Sequence, residues 1–211
     1  MSTITVIIPT LGRPTLVRAL RSVVDTQLGV DDEVIVVGDG PTPYAEWAVG
    51  EMHDPRVRYI EGAHTRRWGA AQYDHGMALA KGEWCAFLPD DDYMPEGALD
   101  AIKRGIAATP TRPVHIFSAQ MLHWGGRILG GSDRVCEVTA SQLVVPGPLN
   151  KLWLVNAVVT MEPQPNWADQ DKQQTFDHAY IAATIKWYGE APVFHSEVIS
   201  VADQQNNGRA F

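Results

Sequence analysis

Three consecutive aspartates, Asp90, Asp91 and Asp92, follow the apolar run Trp84 to Leu88 in the stretch GEWCAFLPDDDYMPEGAL. Carboxylates this close repel one another. At the edge of a core they persist where a cation, a hydrogen-bond network or water offsets the charge. Mg²⁺ and Mn²⁺ take such oxygen ligands, commonly one or two carboxylates with substrate phosphates completing the shell. The triplet is therefore a candidate metal and phosphate site, with a solvated acidic turn as the plain alternative. Thr10 in PTLGRP and Asp39 in GDGP are further polar side chains that directly follow apolar runs.

The elements that must position these groups are legible in the hydrophobic pattern. Ile4 to Ile8 is continuously apolar or β-branched, the pattern of a strand buried on both faces, and Pro9 is expected to end it. Pro14 to Gln27 carries Leu16, Val17, Leu20, Val23 and Val24 at helical spacing. Glu33 to Val37 repeats the strand pattern, Arg58 to Ile60 reads as a short strand, Ala70 to Ala80 as a helix, and Trp84 to Leu88 as a fourth strand. This alternation predicts a doubly wound, mostly parallel α/β sheet, in which ligands sit beyond the carboxyl ends of the strands. Thr10, Asp39 and Asp90 to Asp92 all fall there. Beyond Pro113 the pattern loosens: Val114 to Ala119 reads as a strand, Gly125 to Asp133 as a hairpin or glycine-rich loop, Phe176 to Trp187 as a helix, and Val193 to Val201 as a final strand or strand pair.

Neither a GxGxxG nor a GxxxxGK[ST] loop follows the first strand, which removes the main support for dinucleotide and P-loop readings. The segments VIIPTLGRPTLVRALRSVVDTQ, EVIVVGDGPTP and WGAAQYDHGMALAKGEWCAFLPDDDYMPEGAL, in this order, instead resemble the family 2 glycosyltransferases of the GT-A fold. The likeness spans roughly residues 4 to 102, with a weaker echo near 167 to 201. It implies a nucleotide-sugar-dependent, inverting transferase using Mn²⁺ or Mg²⁺, with a UDP-sugar as the favoured donor. Residues 1–112 would form the nucleotide-sugar half and 113–211 the acceptor half of one domain.

On that resemblance Thr10 and Arg13 lie by the base and diphosphate, and Asp39 accepts a hydrogen bond from a uracil-like base. Trp68, Gly69 and Gln72 border the nucleotide or donor sugar, and Arg66 and Arg67 offset diphosphate charge or are surface residues. The family often has arginine and asparagine where this chain has Tyr73 and Asp74. In the acidic motif Pro89 replaces the first aspartate of the common pattern. Asp90 would then contact ribose or a metal-bound water, while Asp92 coordinates the cation and Asp91 assists. Asp177, at the start of the FDHAYIAATIKW helix pattern, matches the family's general base, with Asp169 and Asp171 as competitors. A charge at a helix amino terminus is its bland role. His195 stands where transferases of this fold carry a residue near metal or phosphate, although a lone histidine in an apolar stretch is more often structural. Trp124, Trp153 and Trp167 are stacking platforms or core residues.

Composition narrows the alternatives. A chain of 211 residues with 45% apolar and 20% charged content suits one globular domain, and nothing marks it as low-complexity. Its net charge of −8 argues against a broad basic surface for nucleic acid or anionic membrane, short of a cluster of Arg104, Arg112, Arg127, Arg134 and Lys151. Two cysteines, Cys85 and Cys136, indicate neither a disulfide framework nor a zinc site, and no leader or membrane span is read, so a cytoplasmic location is expected. The rival functions are a sugar-phosphate nucleotidyltransferase and a catalytically silent nucleotide- or glycan-binding module. The acceptor, whether glycan, protein or modified nucleobase, is not specified by any motif, and neither is the oligomeric state.

Overall fold

The computed structural model describes residues 2–25, 27–65, 69–130, 142–146, 185–186 and 188–203. Strands β1 (Ile4–Thr10), β2 (Glu33–Asp39), β3 (Val57–Gly62) and β4 (Trp84–Phe87) run parallel in the spatial order β3-β2-β1-β4. Beyond β4 the sheet continues through β8 (Leu143–Pro146), β6 (His115–Met121), β9 (Val193–Ala202) and the two-residue β5 (Asp92–Tyr93), with β7 (Arg127–Leu129) paired to β6. β8 is antiparallel to both β4 and β6, so β6 again points the same way as β4, and β9 is parallel to β6. The result is a mixed, mostly parallel α/β sheet whose β1, β2, β4, β6 and β9 share one carboxyl edge.

Both faces of the central strands are covered, as their unbroken apolar runs require. Ile4, Val6 and Ile8 of β1 and Val34 and Val36 of β2 face α1 (Leu16–Val24), α2 (Pro43–Gly50) and α4 (Ala98–Ala108) in one buried cluster. The alternate residues Ile7, Ile35 and Val37 join Cys85, Phe87, Tyr73 and Met77 in a second cluster, with the last two on α3 (Ala70–Leu79). Each buried Ile, Val or Leu contributes about 1.5–3 kcal/mol relative to exposure. Helix α1 buries Leu16, Ala19, Leu20 and Val23, the i, i+3, i+4, i+7 stripe of an amphipathic helix.

At the amino edge of the sheet the charges are structural. The Asp32 carboxylate accepts from the Ile4 and Gly29 amides at 2.9 and 2.8 Å and from Lys103 at 2.6 Å, and Glu33 accepts from the Thr5 hydroxyl, the Lys81 amide and Arg58. This pins the βα units at the end away from the carboxyl edge.

Several boundaries differ from the sequence expectation. β1 does not stop at Pro9 but continues to Thr10, with Pro9 in register with Val37. Pairing of β1 with β4 ends at Ile7–Phe87, so Pro9 lies where one side of the strand has lost its neighbour and the missing N–H costs little. Helix α2, over PYAEWAVG, has too weak an apolar period to be read from sequence. Val193–Ala202 forms one strand, bent by irregular register against β6 between Ile116 and Ala119. Most of the expected helix at 176–187 lies outside the described residues.

Candidate functional site

The carboxyl edge gathers two polar knots, one at the end of β1 and β4 and one at the end of β2. In the first, the Thr10 hydroxyl donates to Asp90 Oδ2 at 2.6 Å and accepts the Gly12 amide at 2.9 Å, which locks the βα turn over the acidic segment. Arg13 Nη1 donates to Asp90 Oδ1 at 2.9 Å and to Asp91 Oδ2 at 3.1 Å. Arg18 Nη2 reaches the Asp91 carbonyl at 2.7 Å, its Nη1 meets Asp203 at 2.6 Å, and its guanidinium lies 5.2 Å from the Tyr93 ring centre. Arg13 therefore offsets the charge of the triplet, while Arg18 holds its backbone and pairs with Asp203.

The three aspartates have three different environments. Asp90 is buried, and burial pushes its carboxyl above the usual range against the opposing pull of Arg13 and the Thr10 hydroxyl. Asp91 is the most open, with its side chain 26% exposed. Asp92 is buried in β5, its amide closing a turn on the Pro89 carbonyl at 3.2 Å and its backbone paired with Ala202 of β9.

In the second knot, Asp39 ends β2 with its side chain only 8% exposed. Its Oδ1 accepts the Thr65 amide at 2.6 Å and Gln72 Nε2 at 2.9 Å, and its carbonyl accepts His64 Nδ1–H at 2.9 Å. Gln72 also donates to the Ala63 carbonyl at 3.0 Å, which fixes the orientation of its amide. That leaves Gln72 Oε1 buried with no hydrogen-bond partner among the described residues, an arrangement that costs about 1–3 kcal/mol unless a donor arrives. Gly69 brings α3 up to this edge. It caps the helix at φ 83°, and a Cβ there would lie 3.1 Å from the Pro9 Cβ, so both the backbone conformation and the space favour glycine.

This arrangement has known counterparts. The sequence profile of glycosyl transferase family 2 matches residues 5–113. The chain belongs to glycosyl transferase family 2. A GalNAc(5)-diNAcBac-PP-undecaprenol beta-1,3-glucosyltransferase of Campylobacter jejuni is 28% identical over 104 residues, which make up 48% of this chain and 34% of that protein. Among solved structures, S. aureus TarS residues 1-349 in complex with UDP-GlcNAc superposes with a TM-score of 0.68 at 14% identity, covering 99% of this chain and 61% of that one. A second crystal structure of TarS 1-349 gives a TM-score of 0.65 at 14% identity over 95% and 60% of the two chains. The fold is thus of the GT-A type, and the chain spans about a third of the curated relative's length and about three-fifths of TarS 1-349.

The family 2 domain brings together Thr10, Arg13, Asp90 and Asp91 in one knot and Asp39, Gln72 and Gly69 in the other, on adjacent strand ends. Arg66, Arg67, Trp68, Asp169, Asp171, Asp177, Trp153 and Trp167 lie outside the described residues. His195 does not join the aspartates. It sits near the start of β9, whereas Ala202 at the far end of that strand pairs with Asp92, and seven residue steps of strand span about 20 Å. Instead His195 Nε2–H donates to His115 Nδ1 at 2.9 Å and its ring stacks on Phe117 at 4.2 Å. The suggested basic cluster does not form between Arg112 and Arg127 either: they flank opposite ends of β6, and Arg112 is held by Glu190 at 3.3 Å.

Sequence reasoning missed Arg18 and Thr65. A signal existed for Arg18, because an acidic triplet in a core edge needs cations and the preceding βα unit offers Arg13, Arg18 and Arg21. Nothing marked Thr65, which acts through its backbone amide.

Among the described residues no group of three His, Cys, Asp or Glu side chains is placed to hold a metal ion. Both Asp90 oxygens already accept from Thr10 or Arg13, which makes Asp90 a poor ligand. Asp91 and Asp92 fit by donor type, since Mg²⁺ and Mn²⁺ sites completed by substrate phosphates need only one or two carboxylates. No described helix is long and apolar enough to cross a membrane.

Proposed function

We propose that this domain is an inverting transferase that takes a sugar from a UDP-sugar and moves it to an acceptor hydroxyl. The observation that carries the reading is the acceptor Gln72 Oε1 beside Asp39, buried at the carboxyl edge of the strands and without a hydrogen-bond partner among the described residues. An imide N–H of uracil is a donor suited to acceptors of this kind, and neither adenine nor cytosine carries one on its ring edge. UDP and UDP-GlcNAc were bound in the crystals of TarS, the structural counterpart.

In the proposed reaction the acceptor oxygen bonds to the anomeric carbon as the bond from that carbon to the diphosphate oxygen breaks, and the electron pair leaves with UDP. A base takes the acceptor proton on the face opposite the leaving group. Asp177 is proposed for this step from its place in the sequence pattern. Thr10 and Arg13 hold Asp90 rigid beneath the ribose and diphosphate, and Asp39 with Gln72 orients the base. Asp91 and Asp92 would hold Mn²⁺ or Mg²⁺, which when bound stabilises negative charge on the leaving diphosphate. Residues 1–112 supply the donor half and 113–211 the acceptor half.

Calorimetric titration of UDP, TDP, ADP and CDP with and without Mn²⁺ tests the donor reading. Tighter binding of UDP and TDP than of ADP and CDP, strengthened by Mn²⁺, is expected; equal binding of CDP would refute the role given to Asp39 and Gln72. Transfer by Asp177→Asn at the wild-type rate would refute the base assignment.

A further inference from the structure

The carboxyl edge does not end at the aspartates. β6 opens onto the same edge and is followed by a 3-10 turn, Leu122–Trp124, and the return strand β7. Gly125 and Gly126, at φ 68° and 79°, close this hairpin, with the Gly126 amide on the Met121 carbonyl at 3.0 Å. Two left-handed residues in succession make a tight reversal that side chains larger than glycine resist. The hairpin is anchored below by a small buried cluster of Met121, Leu129 and Ala202. His123 Nδ1 also approaches the Ala202 carbonyl at 3.4 Å. Ala202 is the backbone partner of Asp92, so the hairpin and the acidic segment are fixed to one strand and stand about two strand spacings, roughly 10 Å, apart.

On this rigid base Trp124 stays 49% exposed, with the His123 ring 5.2 Å from it and tilted by 60°. Leu122 and Ile128 of the same hairpin are also exposed. What distinguishes this indole is its place: it is braced on a turn whose strand pairs, through Ala202, with Asp92 of the acidic segment. A few side chains are far too little surface for a stable protein interface, which needs about 1,200–2,000 Å² in total. One flat ring, with a polar partner beside it, matches the size of a single sugar ring, whose C–H face packs on an aromatic face while its hydroxyls reach polar neighbours.

We propose that Trp124 is the platform on which a pyranose ring of the acceptor stacks, so that the acceptor is a glycan. The inference rests on the donor reading above, since it places the acceptor beside the site assigned to the leaving diphosphate. A glycan microarray probed with wild type, Trp124→Ala and Trp124→Phe in the presence of UDP tests it, alongside UDP titration and urea midpoints for each protein. Wild type should retain a set of pyranose-terminated glycans, Trp124→Ala should lose them at least fivefold, and Trp124→Phe should keep most of the retention. UDP affinity and urea midpoint should stay within error across the three. A silent array, or equal retention by Trp124→Ala, overturns the proposal. So does loss by Trp124→Ala of binding to phosphatidylglycerol vesicles with no change on the array, which would make the hairpin a membrane contact. If UDP fails to bind wild type, the donor reading falls, while the array difference still decides the role of Trp124.

Discussion

Replacing Arg13 by Met keeps most of the aliphatic stem and removes the guanidinium that faces Asp90 at 2.9 Å and Asp91 at 3.1 Å. Breaking a fully buried ion pair costs about 3–5 kcal/mol because the remaining charge is left without a partner. Here only one partner is buried: the Asp90 side chain is 4% exposed and that of Arg13 is 43% exposed. Water screens the guanidinium side, so the expected cost is about 1–2 kcal/mol. Asp91 adds little, being open to solvent.

The pH dependence separates this cost from simple loss of packing. Burial already raises the Asp90 carboxyl above its ordinary range, and Arg13 is the largest influence pulling it back. Without Arg13 the folded-state value rises further. A carboxyl raised in the folded state binds its proton more tightly there than in the unfolded chain, so its ionisation destabilises the fold as pH rises through that value. The deficit of Arg13→Met should therefore be full well above the raised folded-state value and should shrink as pH falls through it and Asp90 takes up its proton. Urea midpoints of wild type, Arg13→Met, Asp90→Asn and the double variant, measured across this range, give the coupling directly. We expect about 1 kcal/mol of coupling at the upper end. A deficit that is the same at every pH, or single-variant effects that simply add, would refute the idea that Arg13 acts by compensating Asp90.

Further outcomes follow from other contacts. Burial depresses His115 to about 4, with His195 adding to the effect, so neutral His115 stabilises the fold above about 6.5 and that stability drains away as pH falls towards 4. The loss should reach about 2–3 kcal/mol by chemical denaturation, and His115→Gln should flatten the profile. Gly69→Ala meets both a left-handed backbone and the Pro9 ring, and should lower stability by about 1–3 kcal/mol while weakening UDP binding by calorimetry. Gln72→Leu removes the donor to Asp39 and the orphan acceptor together; UDP affinity should drop about tenfold, or 1.4 kcal/mol, with little change in CDP affinity. Asp92→Asn should abolish the Mn²⁺ enhancement of UDP binding, measured as the ratio of dissociation constants with and without the ion.

The parallel half of the fold was readable because its signal is local. β1 and β2 are buried on both faces, so their sequences are unbroken apolar runs, and α1 shows a clean stripe from Leu16 to Val23. The antiparallel half was not, since short strands such as Arg127–Leu129 and Leu143–Pro146 are defined by partners far along the chain. His195 illustrates the consequence. Its strand was read correctly, but which end of β9 meets the acidic segment depends on its register with β6 and β5, and no local pattern carries that information.

The aspartate triplet shows a subtler version of the same gap. Spacing along the chain counts three carboxylates as equivalent donors, yet a turn at Pro89 and a two-residue strand send them into different surroundings. Asp90 is consumed by Thr10 and Arg13, so its charge organises the first βα turn and is largely answered before any ligand arrives. A cation would then meet Asp91 and Asp92, one open and one buried. Two carboxylates neutralise a divalent ion, which leaves the diphosphate to be balanced by the arginines of the first βα unit. Affinity for the nucleotide should accordingly depend on Arg13 even without metal, because the guanidinium that steadies Asp90 is also a fixed positive charge at the diphosphate edge.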